Sequence, residues 1–312
     1  MTDNSASLES LIKPTGVSMH DVQDPDTARI VINHNTVLDS HLLPGLKADV
    51  EETEDGIRAK IILEQGTVIE KQVHLCFGML PEEGVQKIDL DIEIQDNALV
   101  TFLAHCVFPN AVDVQHLMTA NIRLGENASY SYLERHVHSD KAGIKVVPEA
   151  KVEIGKGSRF KSEFELLRGR VGLIDIDYEA TCHENSVLEM TSRINGAGDD
   201  HIKIRETGHL VGAYAKGVLT SRIAVRDKAK ADVYNKLTAS APHARGHVDC
   251  QEIVQDNGVA TAIPIVEVNH PKAHITHEAA IGSVDNKQLE TLMSRGLSED
   301  DAVELIIEGL LS

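Results

Sequence analysis

The chain has no tryptophan, and its aromatic side chains are only five tyrosines and five phenylalanines among 312 residues. Apolar residues nevertheless make up 42% of the sequence, which is enough for a full core. A core of this size with so few aromatic rings is unusual for an ordinary globular domain. The composition therefore favours a repetitive interior made of aliphatic side chains.

Cysteine is also scarce, and Cys76, Cys106, Cys182 and Cys250 lie far apart with no CxxC pair. This pattern excludes a disulfide framework and suits a reducing compartment. No apolar run reaches the ~18 residues that a membrane span needs. The first residues contain neither the basic nor the apolar region of a signal peptide. We therefore expect a cytoplasmic protein with no membrane partner.

Basic residues are outnumbered, with 30 lysines and arginines against 49 aspartates and glutamates, which gives a net charge of −19. Nucleic acids and anionic lipids carry phosphate charges, which such a surface repels. The sequence also lacks a glycine-rich phosphate loop, a GxSxG elbow and an HExxH motif. We expect no nucleic-acid partner and no enzymatic activity, including nucleotide hydrolysis, from the chain itself.

The sequence does contain a repeated strand–turn–strand unit. Residues 88–94 alternate strictly between apolar and polar side chains, which predicts a half-buried strand. Polar turns with a small residue follow this strand and its later copies, and the small residue stands at positions 98, 128, 158, 186, 229 and 258. Four of the five steps are close to 30 residues, and the exception of 43 spans a segment with a degenerate turn pattern, 201–219. A fixed period of this size predicts a solenoid.

The repeating unit contains no helical stretch, so the sequence predicts an all-β fold, a β-helix, over residues 27–282. The alternative is a β-sandwich whose turns resemble each other by chance. Sandwiches have turns every ~8–12 residues and more aromatic residues than this chain, so the solenoid is favoured. Residues 1–26 form a polar N-terminal segment, for which we expect little order or only weak helical structure.

Residues 283–312 carry two short helical patterns. The first has apolar residues at Leu289 and Met293 and a stop at Gly296. The second begins after the N-cap candidate Ser298 and has an apolar stripe made of Val303, Ile306, Ile307 and Leu310. This helical segment either shields the open end of the solenoid or forms a docking surface for a partner.

Cys250 is a candidate thiolate ligand, and His277 and Glu278 follow 27 and 28 positions later. Taken alone, Cys250 is more simply explained as a small buried hydrophobic residue. Adjacent residues on a strand point to opposite faces, so either one of His277 and Glu278 is structural or the two serve different sides of a subunit interface. The chain has too few cysteines for a four-thiolate site, so any iron–sulfur cluster here is labile, exposed or shared between chains. His243 and His247 precede Cys250 and are the best candidates to support it.

Three other neighbouring pairs resemble metal ligands, namely His105 with Cys106, His136 with His138, and Cys182 with His183. Only His136 and His138 share a strand face, which would suit a transition metal. None of the pairs forms a known spaced motif, and 16 histidines make such neighbours common by chance.

The C-terminal half of the chain resembles the segment shared by SufB and SufD, the scaffold proteins of iron–sulfur cluster assembly. The matching pieces are the stretch around Cys250, residues 262–268, residues 277–282, and the segment 288–302 with its Met-Ser-Arg-Gly-Leu-Ser sequence. These motifs are specific in combination and cover roughly half of the chain. The resemblance implies a right-handed parallel β-helix with a short C-terminal α-helical subdomain that docks a SufC-like ABC ATPase.

The resemblance also implies a role in building iron–sulfur clusters, with a transient cluster as the cofactor. In SufB a cysteine matching Cys250 and a glutamate matching Glu278 are implicated in the cluster site, whereas SufD has a histidine matching His277 and lacks the glutamate. This chain has all three residues, so we expect an undivided, archaeal-type relative that forms a homodimer. In that dimer, Cys250 and Glu278 of one subunit would meet His277 of the other.

The resemblance further implies apo iron–sulfur proteins as recipients and an ATPase as a partner. The residues expected to dock the ATPase are Leu289, Met293, Arg295, Gly296, Leu297, Val303 and Ile306. The sulfur donor stays open, because the sulfur-accepting cysteine that SufB carries after a Tyr-Leu-Glu stretch appears here as His136. Two other functions also stay open: a structural partner that regulates the ATPase without binding a cluster, and a β-helix enzyme that acts on polysaccharide.

Overall fold

The computed structural model describes residues 2–312, with side chains from Ala6 onward, and Met1 lies outside the described residues. The chain coils into a β-solenoid of two sheets. From residue 56 onward, successive strands alternate between the two sheets, so that each strand pairs with the strand two positions further along the chain. The pairings from residue 56 to residue 282 are parallel. The predicted β-helix with C-terminal helices is confirmed.

The first sheet contains β1 (Arg29–Asn33), β2 (Thr36–His41), β5 (Val73–Gly78), β7 (Leu99–Phe108), β9 (Ser129–His138), β11 (Arg159–Leu166), β13 (Val187–Gly196), β15 (Lys216–Val225), β17 (Arg245–Val254) and β19 (His274–Gly282). The second sheet contains β3 (Leu46–Glu52), β4 (Gly56–Leu63), β6 (Glu83–Ile94), β8 (Asp113–Leu124), β10 (Ile144–Ile154), β12 (Leu173–Cys182), β14 (His201–Leu210), β16 (Lys230–Ala239) and β18 (Val259–Val268). The helices are α1 (Thr2–Ile12), α2 (Met19–Val22), α3 (Asn286–Met293) and α4 (Glu299–Leu311), and a 3₁₀ turn spans Lys13–Thr15.

Stacked aliphatic side chains fill the space between the two sheets. The predicted strand at 88–94 lies within β6, and its apolar residues face inward and are buried. Ile92 lies in register with Ile61 of the preceding coil and with Ile122 of the next. Strands in a sheet lie ~4.8 Å apart, so such columns pack branched aliphatic side chains against each other. This packing explains a large core with few aromatic rings.

The small turn residues of the repeat belong to two different turns of each coil. Ala98, Ala128, Ser158, Ser186, Ala215 and Ala244 are buried where the chain passes from the second sheet to the first, at steps of 30, 30, 28, 29 and 29 residues. Ala229 and Gly258 lie at the opposite turn. The predicted step of 43 residues, from Ser186 to Ala229, was therefore wrong, because these two residues lie at opposite turns of the coil. The repeat is hard to recognise in the sequence at Tyr214 and His243. These bulky residues, with φ of 62° and 63°, occupy the left-handed turn position that Asn or Gly fills in earlier coils.

The N-terminal segment is helical and packed, which is more order than the sequence led us to expect. Leu11 and Val22 of α1 and α2 are fully buried against Val31, Cys76 and Val107 on the outer face of the first sheet. These three strand residues are apolar at outward positions and need a cover. The helices supply that cover over the first coils.

The C-terminal segment forms the two predicted helices. Asp285 caps α3, Gly296 follows it with φ of 98°, and Ser298 caps α4 as predicted. Ile307 of α4 packs on Ala224 at the outer face of the first sheet. No helix within residues 2–312 is long and apolar enough to cross a membrane.

Candidate functional site

Cys250 lies on β17 with its side chain inside the solenoid, where it is 0% exposed. Strand alternation puts Val248 and Glu252 on the same inner face, as predicted for Val248, and both are buried. The amide Nδ2 of Asn235, on the second sheet, lies 3.9 Å from the Cys250 Sγ. Burial raises the pKa of the Cys250 thiol. The side chain is therefore a protonated thiol while the coil stays closed.

The interior next to Cys250 is polar, which the sequence reading missed. Ser221 donates a hydrogen bond to Oε1 of Glu252 (3.0 Å), and Ser192 donates one to Oε1 of Glu206 (2.8 Å). Burial raises the pKa of both glutamates to about 7. Their Oε2 atoms have no hydrogen-bond partner among the described residues. Both glutamates occupy inward positions of an apolar alternation, and that position is the signal by which the sequence could have revealed them.

His277 and Glu278 lie on β19, the last strand of the first sheet. His277 is in register with Val248 and Glu278 with Asp249, so His277 points to the inner side and Glu278 to the outer side. Both are exposed, because no described coil follows this edge. The predicted opposite faces are confirmed. Within one chain, the structure does not bring Cys250 and Glu278 together.

Glu278 instead joins His247 and Asp249 on the outer face of β17 and β19. One ligand-type atom from each of these residues lies within 4.8 Å of the other two. His247 Nε2 is 3.9 Å from Glu278 Oε2, and its Nδ1 is 2.8 Å from the Thr276 hydroxyl. The Asp249 carboxylate also forms an ion pair with Arg222. An imidazole and two carboxylates form a set that can bind a divalent cation such as iron(II).

His243 and the pair of Cys182 with His183, which the sequence suggested as ligands or supporting residues, do not join a group of ligand-type side chains. His243 lies in the turn before β17 and stacks on the Tyr214 ring, with 4.8 Å between the ring centroids. In this position His243 stacks on Tyr214, and the structure gives no evidence for the predicted role of His243 beside Cys250. Cys182 faces the core, whereas His183 lies at the surface with its Nε2 3.2 Å from Glu153 Oε2. Cys182 and His183 therefore do not form a site together.

A second group of ligand-type side chains lies inside the solenoid between β7 and β9. Cys106, Glu134 and His136 are buried, and one ligand atom of each lies within 4.8 Å of the others. His136 Nε2 is 2.7 Å and Cys106 Sγ is 3.7 Å from Glu134 Oε1. His136 Nδ1 is 3.1 Å from His138 Nε2, as expected for two histidines on one strand face. His105, next to Cys106, is buried on the opposite side of the sheet, where its ring stacks on a histidine of β5.

Burial determines the protonation of this interior group. It lowers the pKa of His116, His136 and His138 to about 3, so these imidazoles are neutral at physiological pH. It raises the pKa of Glu134 to about 7 and that of the Cys106 thiol well above its usual value. In the absence of a cation, the group therefore contains neutral rings and a thiol.

Among residues 2–312, the last coil leaves an unpaired edge strand at the end of each sheet, β18 and β19. Apolar side chains are exposed along these two strands, at Val259, Ile263, Ile265, Val268 and Ile281. An unpaired strand edge with apolar side chains is a template for pairing with another chain. This end of the solenoid is therefore suited to an interface.

The residues predicted to dock an ATPase lie along the helical tail. Met293, Arg295 and Gly296 are exposed, and Leu289, Leu297, Val303 and Ile306 are half-buried. Val303 packs partly against Ile307, whereas Ile306 lines a groove of about 580 Å³ between α4 and β19. The tail thus offers both exposed residues and a groove, lined by apolar and polar side chains, next to the strand edge.

Residues 81–310 match the family model described as the SufBD core domain of the SUF system for FeS cluster assembly. The chain belongs to the SufBD family. It is 38% identical over 300 residues to an iron-sulfur cluster assembly SufBD family protein of Methanocaldococcus jannaschii, which covers 96% of this chain and 95% of the relative. A SufBD family protein of Pyrococcus horikoshii is 36% identical over 284 residues, which is 91% of this chain and 86% of the relative.

Similarity to a bacterial protein is more local. The iron-sulfur cluster assembly protein SufB of Bacillus subtilis is 36% identical over 72 residues, or 23% of this chain and 16% of that protein. The predicted family and its archaeal relatives are thus confirmed. Membership of a SufBD family favours cluster assembly over the polysaccharide-acting enzyme that the β-helix alone left open.

Proposed function

We propose that the chain is a scaffold, and not an enzyme, on which an iron–sulfur cluster is assembled at the last coil. One observation carries this proposal: in a member of a cluster-assembly family, the buried thiol of Cys250 lies one strand inside an open edge that bears His277 and Glu278. Thiolate, imidazole and carboxylate are all ligands that iron accepts. The cluster is transient, because one chain offers too few thiolates to hold it firmly.

The site is shared between two copies of the chain. His277 and Glu278 point to opposite faces of β19, so a single chain does not present both to one metal. Pairing of the open β18 and β19 edges would supply a second copy, with Cys250 and Glu278 of one subunit and His277 of the other at the site. This arrangement requires the last coil to rearrange, because Cys250 and Glu278 lie on opposite faces of the first sheet in the structure. The exposed apolar residues on these edges support such a homodimer.

Cluster loading requires the last coil to open, because Cys250 is enclosed in the closed state. A SufC-like ABC ATPase docked on the helical tail is the proposed driver of this opening. Ile307 of α4 belongs to an apolar cluster against which Ile253 also packs, and Ile253 lies on the same strand as Cys250 and three residues from it. Movement of α4 therefore acts on the strand that carries the thiol.

The remaining partners follow from this role. Apo iron–sulfur proteins receive the cluster, and the sulfur donor stays open, because this chain has His136 at the position of the sulfur-accepting cysteine. The four cysteines are free thiols, which fits work in a reducing cytoplasm.

Anaerobic reconstitution with iron and sulfide tests the proposal, with the Cys250→Ala variant compared with the wild-type chain. We expect a broad sulfide-to-iron charge-transfer absorption and bound iron in the wild type, and loss of both in the variant. Cys182→Ala is the matched control, since it also removes a buried free thiol, and it should bind as the wild type does.

Equal cluster binding by wild type and Cys250→Ala would contradict the proposal. So would the absence of any cluster on the wild type when its ATPase partner is present. Either result would favour a structural partner that regulates the ATPase and binds no cluster, for which the complete burial of Cys250 already provides a physical reason.

A further inference from the structure

A chain of hydrogen bonds fixes which nitrogen of His136 carries the ring proton. The carbonyl oxygen of Arg170 can only accept, so His138 donates to it from Nδ1 over 3.1 Å. The neutral His138 ring then accepts at Nε2, and His136 donates to it from Nδ1. The Nε2 of His136 is left with a lone pair that faces Glu134 Oε1, 2.7 Å away.

A second buried imidazole is held in the same way by Gln86. The Gln86 amide nitrogen donates to the carbonyl oxygens of His34 and Gly78, both at 2.9 Å, which fixes its Oε1 as the acceptor end. His116 therefore donates from Nδ1 to this Oε1 over 3.0 Å, and its Nε2 has a free lone pair. That Nε2 is buried with no hydrogen-bond partner among the described residues. The ring centroids of His116 and His136 are 6.2 Å apart.

The lone pair of His136 faces a space that needs a positive charge or a proton. The His136 Nε2 and Glu134 Oε1 repel each other at 2.7 Å unless a proton or a cation lies between them. The other oxygen of Glu134 is buried and has no hydrogen-bond partner in the described part of the chain. Cys106 Sγ lies 3.7 Å from Glu134 Oε1. An imidazole oriented through its second nitrogen, beside a thiol and a carboxylate, is the arrangement by which proteins bind transition metals.

We propose that Cys106, Glu134 and His136 bind a divalent transition metal of the zinc type inside the solenoid. On binding, the Cys106 thiol releases its proton, and the metal replaces the proton between Glu134 and His136. A water completes the tetrahedral set and donates to the His116 Nε2, which gives that atom the partner it lacks. The metal joins β7 to β9 and so links two successive coils.

This site is separate from the proposed cluster site. Glu134 and Cys250 occupy strands β9 and β17, which are four strand spacings apart in the first sheet, or about 19 Å. Removal of one thiol therefore leaves the other site intact, and the two proposals fail independently.

The test uses Co²⁺, which reports its ligands by absorption. The full chain is produced in minimal medium with Co²⁺ in place of zinc, because an enclosed site fills during folding. We expect the visible bands of a tetrahedral site and a sulfur-to-cobalt charge-transfer band in the near ultraviolet, with an intensity of about one sulfur-ligated cobalt ion per chain. Cys106→Ala should lose the charge-transfer band, whereas Cys250→Ala should keep it.

Glu134→Gln keeps the size of the side chain and provides a second variant that does not depend on removing the thiol. We expect it to fold, as judged by circular dichroism, with the sulfur-to-cobalt charge-transfer absorption reduced at least about tenfold. A folded wild type without the charge-transfer band, a band that survives Cys106→Ala, an unchanged band in Glu134→Gln, or a band that depends on Cys250 would each overturn the proposal.

Discussion

At the scale of single residues, the environment of Cys250 differs from that of an ordinary core cysteine. Strand alternation predicts that Cys250 shares a face with Val248, and the structure confirms it. The sequence did not predict that Glu206 and Glu252 lie in the same interior, because they stand in different coils and are brought close only by the register of the solenoid. A polar interior beside a thiol is unusual where the fold needs only aliphatic side chains.

The buried carboxyl of Glu206 makes a testable contribution to stability. Its folded pKa of about 7 lies above the ordinary value of 4.5. Its stabilising contribution is therefore complete below pH 4.5 and is lost as the pH rises through 7. Glu206→Gln removes this dependence, so the difference in unfolding free energy between pH 5 and pH 8 should shrink by on the order of 3 kcal/mol.

Urea unfolding of wild type and Glu206→Gln at the two pH values measures this difference. Glu126→Gln, at an exposed position, is the control and should behave as the wild type. An unchanged pH dependence in Glu206→Gln would show that the buried carboxyl is not held neutral by the fold.

The interior group around Cys106 illustrates what a linear sequence conceals. The shared face of His136 and His138 follows from strand alternation and was predicted. Cys106 and Gln86 come from other strands, 30 and 50 positions before His136, and join it only through coiling. The sequence therefore revealed the pair His136 and His138, matched Cys106 with its neighbour His105 instead of with this group, and missed Gln86.

At the scale of elements, the strands and helices were largely predictable because their signals are local. Period-two alternation found the strand at 88–94, and Ser298 was identified as the cap of α4. The repeat was lost at Tyr214 and His243, where bulky residues occupy left-handed turn positions that Asn or Gly usually fill. The packing of α1 was also missed, since its partners are outward-facing residues that look like ordinary strand positions.

The helical tail carries a prediction about partner docking. Met293 is 41% exposed at the end of α3 and is one of the predicted docking residues. Met293→Glu should weaken binding of a SufC-like ATPase by about tenfold or more, because it places a charge where an apolar contact is expected. Copurification with the ATPase and its stimulated hydrolysis rate measure the effect.

Thr291→Glu is the matched control, since it adds the same charge to an exposed position on a different face of the same helix. It should leave ATPase binding unchanged. Equal binding by Met293→Glu and wild type would mean that the ATPase does not dock on this face of α3.

At the scale of the whole molecule, the two ends of the solenoid are built differently. The antiparallel pairs β1–β2 and β3–β4 and the N-terminal helices cover the first coils. The last strands, β18 and β19, keep unpaired edges with exposed apolar residues. The proposed cluster residues lie at this open end. The asymmetry therefore places the chemistry where a second copy can complete it.

Iron content of mixed dimers tests the shared site most directly. A Cys250→Ala chain with one affinity tag is coexpressed with a His277→Ala chain with another, and dimers that carry both tags are purified and reconstituted. By two-fold symmetry each dimer has two equivalent sites. If Cys250 and His277 come from different subunits, one of the two sites in the mixed dimer has both residues and the other has neither.

We therefore predict that each homodimeric variant binds no cluster and that the mixed dimer recovers half of the wild-type iron and charge-transfer absorption. If both residues come from the same chain, the mixed dimer has no complete site. A mixed dimer as empty as the two homodimers, or a wild-type chain that stays monomeric during cluster loading, would contradict the account.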